Sequence, residues 1–572
     1  MSLDREAVKQ FEIELDRGLD ALTIFQYDAN ACLKLGANIL ETAALHRADP
    51  FFRTLSDGFD ILAHRFVSGR PGPEPDVKEL TDAYFFASSY YLLREYLYYT
   101  YNARDSLSWS FTDNTVTIRF LDPTIPRQFF IGFNNFVLDS IEAFRDDSST
   151  ARIKELLRGE PEGILTDKIK ASLPLLEQEA DIKLSAYFSL LDPMSTIDVG
   201  GYTYSEFHRI FRALLIKTLF HRYYAQANDA PGAIFAERGQ LLRDLAADTS
   251  LSEAVCDRVV AEITYGPASA AEGIEALYFA LYECQVAGRP HLIICPHLFS
   301  MHEGLISFLR LVALRRPEIF LNRLSDPMAQ AFVKRCKTVF EEQGFTARTN
   351  VRLPLAHLPD IDLLVISEEP MLGYVVFVCE IKGPIPPGWS KDHLRALNKD
   401  NVSKAFHQVK AISEFLGTTA GIQFLRLKLP AENPKHFDGF IVAVFTLIIT
   451  SSNAGMFFSD NDQAIVDFRT LERILRRSDG DVHYVIHMLR NFASEAAKAL
   501  NVTIVERQVG KFLVRYEGVT IGSVLDFPQN KWRGTSLPAD MLKDMMEAGG
   551  HPFDVFEKEG GGDDRFDSEP GM

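Results

Sequence analysis

The chain has 572 residues, 47% of them hydrophobic and 24% charged, and a formal net charge of −18. That length allows several domains, and the composition is that of an ordinary globular protein. The acidity excludes a uniformly basic nucleic-acid-binding surface, so any contact with phosphate has to be local. From Asp326 to Thr450 there are 14 Lys+Arg against 13 Asp+Glu, near neutrality, whereas residues 541–572 hold 3 against 9. The longest apolar run, GFIVAVFTLIIT at Gly439–Thr450, is too short to span a bilayer and reads as a buried β-strand. The start, MSLDREAVKQFEIELDRG, has no apolar core of an export signal, so no membrane association and a cytoplasmic location are expected. Six scattered cysteines without a C-x-x-C pair predict reduced, mostly buried thiols, with no zinc knuckle or disulfide framework.

Residues 1–285 read as a mainly helical domain suited to sensing, positioning or oligomerisation. Phe11–Leu45, Phe51–Val67, Thr81–Tyr101, Tyr204–Ala225 and Ile274–Val286 carry apolar residues at three- and four-residue spacing. Within them, SWSFTDNTVTIRF at Ser108–Phe120 alternates around Asp113-Asn114 and predicts a lone hairpin. The tyrosine-rich stretch Tyr84–Tyr101 is read as helix packing rather than a base-stacking platform.

The character changes near residue 286. HLIICPHLF from His291 is a candidate strand, and a helix is expected at Asp326–Gln343, opened by Ser325-Asp326-Pro327 and stopped by Gly344. Strands follow near Phe345–Leu353, Ile361–Ile366 and Tyr374–Ile381, then a helix at Asn401–Leu416 and a strand at Phe440–Ile449. This order predicts an α/β core, a mixed central sheet flanked by helices, over residues 286–455. An α+β extension, with a helix at Asp481–Leu500 and strands near Val502–Val519, is expected over 456–540. Residues 541–572, acidic and glycine-rich, are expected to be a disordered tail.

The chemistry concentrates in LPDIDLLVISEEPMLGYVVFVCEIKGPIPP, Leu358–Pro387. Opposed residues of a hairpin share one index sum. A turn centred on Met371 therefore places Asp362 opposite Glu380, since 362 + 380 = 2 × 371. Their Cβ atoms would then lie about 4.5–5.5 Å apart, close enough for both carboxylates to share one cation. Strand parity puts Lys382 on the face of Glu380. Asp360 shares that parity but would face Lys382 instead. Two adjacent carboxylates at the end of so apolar a strand repel unless a cation lies between them, and Mg²⁺ suits oxygen ligands with open positions.

Asp362 in the frame IDLLVI, with Glu380-Ile381-Lys382 after an apolar strand, resembles the motif of the PD-(D/E)xK (restriction-endonuclease-like) nuclease superfamily. The resemblance covers about 125 residues, roughly 325–450. It implies a metal-dependent endonuclease that hydrolyses phosphodiester bonds of DNA. Asp362 and Glu380 would bind Mg²⁺ or Mn²⁺, and Lys382 would assist the attacking water. Gln408 and Lys404, spaced i,i+4 on the following helix, are the matching polar residues, Gln408 at the site and Lys404 toward substrate. The first helix offers only Gln330 where many members carry a carboxylate, and Glu341 and Glu342 fall at its end. A homodimer or higher oligomer follows by analogy, as does a role in cell defence, antiviral defence or mobile-element biology. The alternatives are an inert nuclease-fold scaffold and an RNA-cleaving enzyme. His483 and His487, and the group His291, Cys295, His297 and His302, lack a completing metal ligand and are read as structural. No Walker A, dinucleotide-binding, G-x-S-x-G or H-E-x-x-H motif is present.

Overall fold

The computed structural model describes residues 5–521 except 46–48, 68, 104–105, 122–146, 162, 187–189, 302–303, 370–372, 384, 386–390, 392–393, 395–401, 431–440 and 452–462. The expected tail, 541–572, lies outside the described residues. Helices and mixed sheets together give a mixed α/β fold. Among the described residues no helix is long and apolar enough to cross a membrane.

The chain opens with helices α1 (Arg5–Asp20), α2 (Ala29–Leu45), α3 (Asp49–Phe66) and α4 (Val77–Asn102). Asp76 starts α4 by accepting from the N–H groups of Lys78 and Glu79, which leave the first turn without intrahelical partners. The tyrosines of α4 pack as expected of structural residues. Tyr84, Tyr96 and Tyr99 are buried, and the hydroxyls of Tyr90 and Tyr101 reach Asp16 and Glu12. Further along, α5 (Tyr204–Asn228) begins with a reciprocal cap in which the Thr203 hydroxyl accepts from Glu206 N–H and the Glu206 carboxylate accepts from Thr203 N–H.

The hairpin β1 (Leu107–Thr112) and β2 (Thr115–Phe120) forms around Asp113, whose φ of 51° suits a tight turn. It is not alone. β2 pairs in parallel with β13 (Phe512–Ile521), which pairs with β12 (Leu500–Val509), so segments almost 400 residues apart in sequence share one sheet. Phe11 on α1 packs against Trp109 and Phe512 across this junction. A second sheet has the order β3-β6-β5-β4. Its members are β3 (Ile234–Glu237), β4 (Thr264–Tyr265), β5 (Leu281–Val286) and β6 (Arg289–Ile294). Two expectations are corrected here. The stretch Ile274–Val286 is not a helix but ends in β5, joined to β6 through Ala287 and Gly288 at φ 50° and 74°. The strand expected from His291 ends at Ile294, and Pro296 starts a short helix, Pro296–Met301, because its ring fits a first helical turn.

The third sheet has five strands in the order β11-β10-β9-β8-β7. They are β7 (Thr346–Val351), β8 (Ile361–Glu369), β9 (Gly373–Lys382), β10 (Ile441–Thr450) and β11 (Ala464–Asp467). β8 runs antiparallel to both β7 and β9, whereas β10 and β11 are parallel to β9. One face carries α6 (Ser325–Glu342) and α8 (Phe468–Ser478), the other α7 (Val402–Leu416). The chain is already helical before Ser325, in a π-turn over Phe320–Leu324, so Ser325-Asp326-Pro327 does not cap α6. Gly344, at φ 85°, does end it. Sheet pairing runs across two boundaries expected from sequence. β5 and β6 straddle 285/286, and β11 joins the same sheet as β10 across 455/456. A final helix, α9 (Val482–Ala499), packs on α8.

Phe377 is the centre of this sheet. It is fully buried, with Phe340, Phe345 and Phe445 rings 5.9, 6.4 and 5.6 Å from its own. Replacing it by alanine removes that area and leaves a cavity between rigid strands. Phe377→Ala should lose about 3–5 kcal/mol of unfolding free energy. Urea denaturation of both proteins measures this.

Candidate active site

Side-chain alternation sorts β9 into two faces. Val375, Phe377, Cys379 and Ile381 pack with Phe332, Cys336 and Phe340 of α6. Tyr374, Val376 and Val378 pack with Leu364, Ile366 and the α7 residues Ile412, Phe415 and Leu416. Asp362, Glu380 and Lys382 have the second parity, so all three lie on the α7 side. The β8–β9 ladder keeps one register from Glu369–Gly373 to Leu363–Cys379, where it ends, and that register carried one residue further puts Asp362 across from Glu380. At this point the Asp362 carboxylate Oδ2 accepts the N–H of Ile381 at 2.8 Å.

Lys382 donates to Glu380 Oε1 at 2.5 Å and to Gln408 Oε1 at 3.0 Å, so α7 supplies the third corner of the group. Glu380 is 1% exposed, and its Oε2 is buried without a nitrogen donor. Burial first, then the Asp362 charge, push the Glu380 carboxyl up to about 7, against the pull of Lys382. Burial likewise raises Asp362, against the Ile381 N–H and Lys382. The site is thus a carboxylate pair with a clamped ammonium beside it. Lys404 is exposed one turn before Gln408 on α7 and makes no hydrogen bond to the group among the described residues.

The remaining acids stay outside. Asp360 is exposed, 4.0 Å from Arg352. Gln330, Glu341 and Glu342 are exposed on α6, and the buried stripe of that helix is Met328, Phe332, Cys336, Val339 and Phe340. That stripe packs on the sheet face opposite to Asp362 and Glu380, which is the physical reason α6 brings no carboxylate. Among the described residues no group of three or more His, Cys, Asp or Glu side chains is placed to hold a metal ion. His483 lies 3.7 Å from Glu369, and His487 contacts Asn491, away from the pair.

Two neighbours escape a motif search. Asn350 falls opposite Asp362 between the Thr349–Leu363 and Val351–Ile361 pairs, and its φ is 51°, a left-handed conformation that asparagine tolerates. Thr450 is fully buried on β10 beside Lys382. Neither carries a sequence signal beyond its residue type. No family model, no curated protein and no solved structure matches this chain.

Asp362 and Glu380 are the two oxygen donors beside Lys382 that could share a small hard cation. Two raised carboxyls face one another, and one buried oxygen has no donor. Without a cation that arrangement destabilises the fold in a pH-dependent way. Glu380 titrates near 7 in the native chain and near its ordinary 4.5 when unfolded. Between those values the native state holds a proton that the unfolded chain has lost, so its contribution to stability falls as pH rises through the window. In metal-free buffer, Glu380→Gln should remove a loss of roughly 3 kcal/mol between pH 4.5 and 7, read as the difference in urea midpoints between the two proteins. Parallel pH profiles would show that Glu380 is not the buried acid.

Proposed function

We propose that Asp362, Glu380, Lys382 and Gln408 form the active site of a metal-dependent endonuclease of the PD-(D/E)xK type that acts on DNA. The supporting observation is the convergence of Asp362 and Glu380 with a lysine held by both Glu380 and Gln408. Asp362 and Glu380 would hold Mg²⁺ or Mn²⁺, which lends charge neutralisation at the phosphodiester and a more acidic water. Lys382 orients the attacking water and stabilises the negative charge that builds on the phosphoryl oxygens. Gln408 keeps the ammonium from turning away. Lys404, exposed on the same helix, would meet a phosphate of the substrate. In the reaction the water oxygen bonds to phosphorus, the bond to the leaving ester oxygen breaks, and that oxygen ends protonated. Two copies of the chain would supply two sites for a double-strand cut.

An inert binding module is the competing reading. It draws on the absence of a third carboxylate among the described residues and on the direct Lys382–Glu380 bond. Incubation of supercoiled plasmid with Mg²⁺ or Mn²⁺ separates the two. Glu380→Ala and Lys382→Ala should each slow nicking by about 100-fold or more. Equal rates for all three proteins would remove the assignment, and cleavage of RNA but not DNA would move the substrate.

Calorimetry gives a second readout that needs no turnover. Mn²⁺ should bind the wild-type chain, and Asp362→Asn should abolish or strongly weaken that binding. Heat signals identical in the two proteins would place the cation elsewhere.

A further inference from the structure

β12 is the last strand of the sheet β1-β2-β13-β12, and among the described residues no strand lies on its other side. Its ten residues, LNVTIVERQV, hold one unbroken register with β13, from Leu500–Ile521 to Val509–Phe512. Proteins guard such an edge with lysine, proline, a bulge or a short strand. β12 has none of these, and it is β-branched in succession at Val502, Thr503, Ile504 and Val505. The opposite edge strand, β1, is only six residues long. A long regular edge offers a row of backbone N–H and C=O groups that a further strand can take up.

Alternation separates the two faces of β12. Val505 and Val509 turn inward to the core that holds Trp109, Val514 and Tyr516. Val502 and Ile504 turn outward and are 41% and 54% exposed. Across the rest of that outer face stand polar residues, among them Ser110, Thr117, Arg515 and Glu517. Two exposed apolar side chains on a polar face, both on the strand at the free edge, fit a partner that arrives edge-on. The charge is also favourable there. Residues 500–521 hold Arg507, Lys511 and Arg515 against Glu506 and Glu517, a balance of 3 − 2 = +1 on a chain of net −18. Two copies of so acidic a chain repel broadly, and this edge lets them approach without that repulsion.

The strand is complementary to itself. A two-fold axis normal to the sheet keeps every residue on its own face, so antiparallel self-pairing needs an even index sum. The sum 502 + 504 = 2 × 503 sets Thr503 against its own copy and Val502 against Ile504 of the partner subunit, twice over. Sums larger by two or four would set Glu506 against Val502 or Ile504 instead, and a sum smaller by two shortens the overlap to Leu500–Ile504. In the chosen register the two Glu506 side chains stand about 20 Å apart along the strands. We infer that β12 pairs antiparallel with β12 of a second copy of this chain about a two-fold axis at Thr503, which joins two four-stranded sheets into one of eight strands. The pairing needs nothing from the nuclease assignment.

Sedimentation velocity of the full chain over a range of concentrations tests this. Wild type should dimerise reversibly. Ile504→Lys should raise the dimer dissociation constant about tenfold or more, because the two introduced ammonium groups lie diagonally across the axis. Ile504→Val should dimerise as wild type does. A second measurement reads the register. All six native cysteines are buried, so Thr503→Cys adds an accessible thiol at the axis. Mild oxidation should link Thr503→Cys into a covalent dimer, whereas Gln508→Cys, about 33 Å from its copy, should not link. A wild-type chain that stays monomeric at every concentration overturns the pairing, as does a dimer that Ile504→Lys leaves unchanged. Linkage through Gln508→Cys and not Thr503→Cys overturns the register, and growth into open-ended assemblies overturns the two-fold axis. A monomer in which every backbone amide from Val502 to Val505 resists hydrogen exchange puts another segment of the same chain on the edge and likewise overturns the dimer. Plasmid cleavage indifferent to Glu380, with the dimer lost in Ile504→Lys, removes only the nuclease site. A monomer whose cleavage depends on Glu380 removes only the pairing.

Discussion

The pairing of β8 with β9 is the constraint on which the candidate site depends. A strand alternates its side chains, so a slip by one residue would turn Asp362 and Glu380 to opposite faces of the sheet. The register is held by apolar residues on both faces, among them Phe377 on one and Val376 and Val378 on the other. Burying both faces makes a slip costly everywhere along the strand, because each displaced side chain would meet the wrong helix. The polar group at the strand end is thus positioned by apolar packing that has no chemistry of its own.

That arrangement carries an internal opposition. The burial that fixes the register also removes water from Glu380, and it raises the pKa values of both carboxyls. One lysine partly offsets this by donating to Glu380 and Gln408. Breaking a buried pair by removing one partner is more costly than never having formed it, because a charge is left without a counterpart. The position of Gln408 is therefore as consequential as its hydrogen bond, and it comes from α7 packing Ile412 and Phe415 on the same sheet face.

Much of the central sheet is legible in the sequence because its signals are local. Apolar runs bounded by turn residues delimit β8, β9 and β10 to within a few residues, and the index sum through Met371 anticipates the observed pairing of β8 with β9. What escapes is contact between distant segments and competition between patterns. Nothing near Val116 announces a parallel partner at Val514. In Ile274–Val286 the apolar spacing suits a helix, yet Ala287 and Gly288 make a tight turn that pairs the segment's second half with β6. The face taken by α6 is equally hidden. Its sequence shows an apolar stripe of Phe332 and Cys336 but not which side of the sheet the stripe will cover, and that choice decides whether the helix can offer a ligand.

Asn350 shows how far local geometry extends beyond a motif. It lies opposite Asp362 in a left-handed conformation, within a strand whose neighbouring pairs are regular. A regular residue there would continue the ladder and offer β8 a backbone partner at Asp362. The left-handed turn of the chain interrupts the ladder on that side, just as the pairing of β8 with β9 closes at Leu363–Cys379 on the other. Asp362 therefore stands at a position where both neighbouring strands release the backbone, and its carboxylate takes the Ile381 N–H. A sheet that loosens at one residue while staying tight around it can hold a charged side chain at its edge without giving up the register that placed it there.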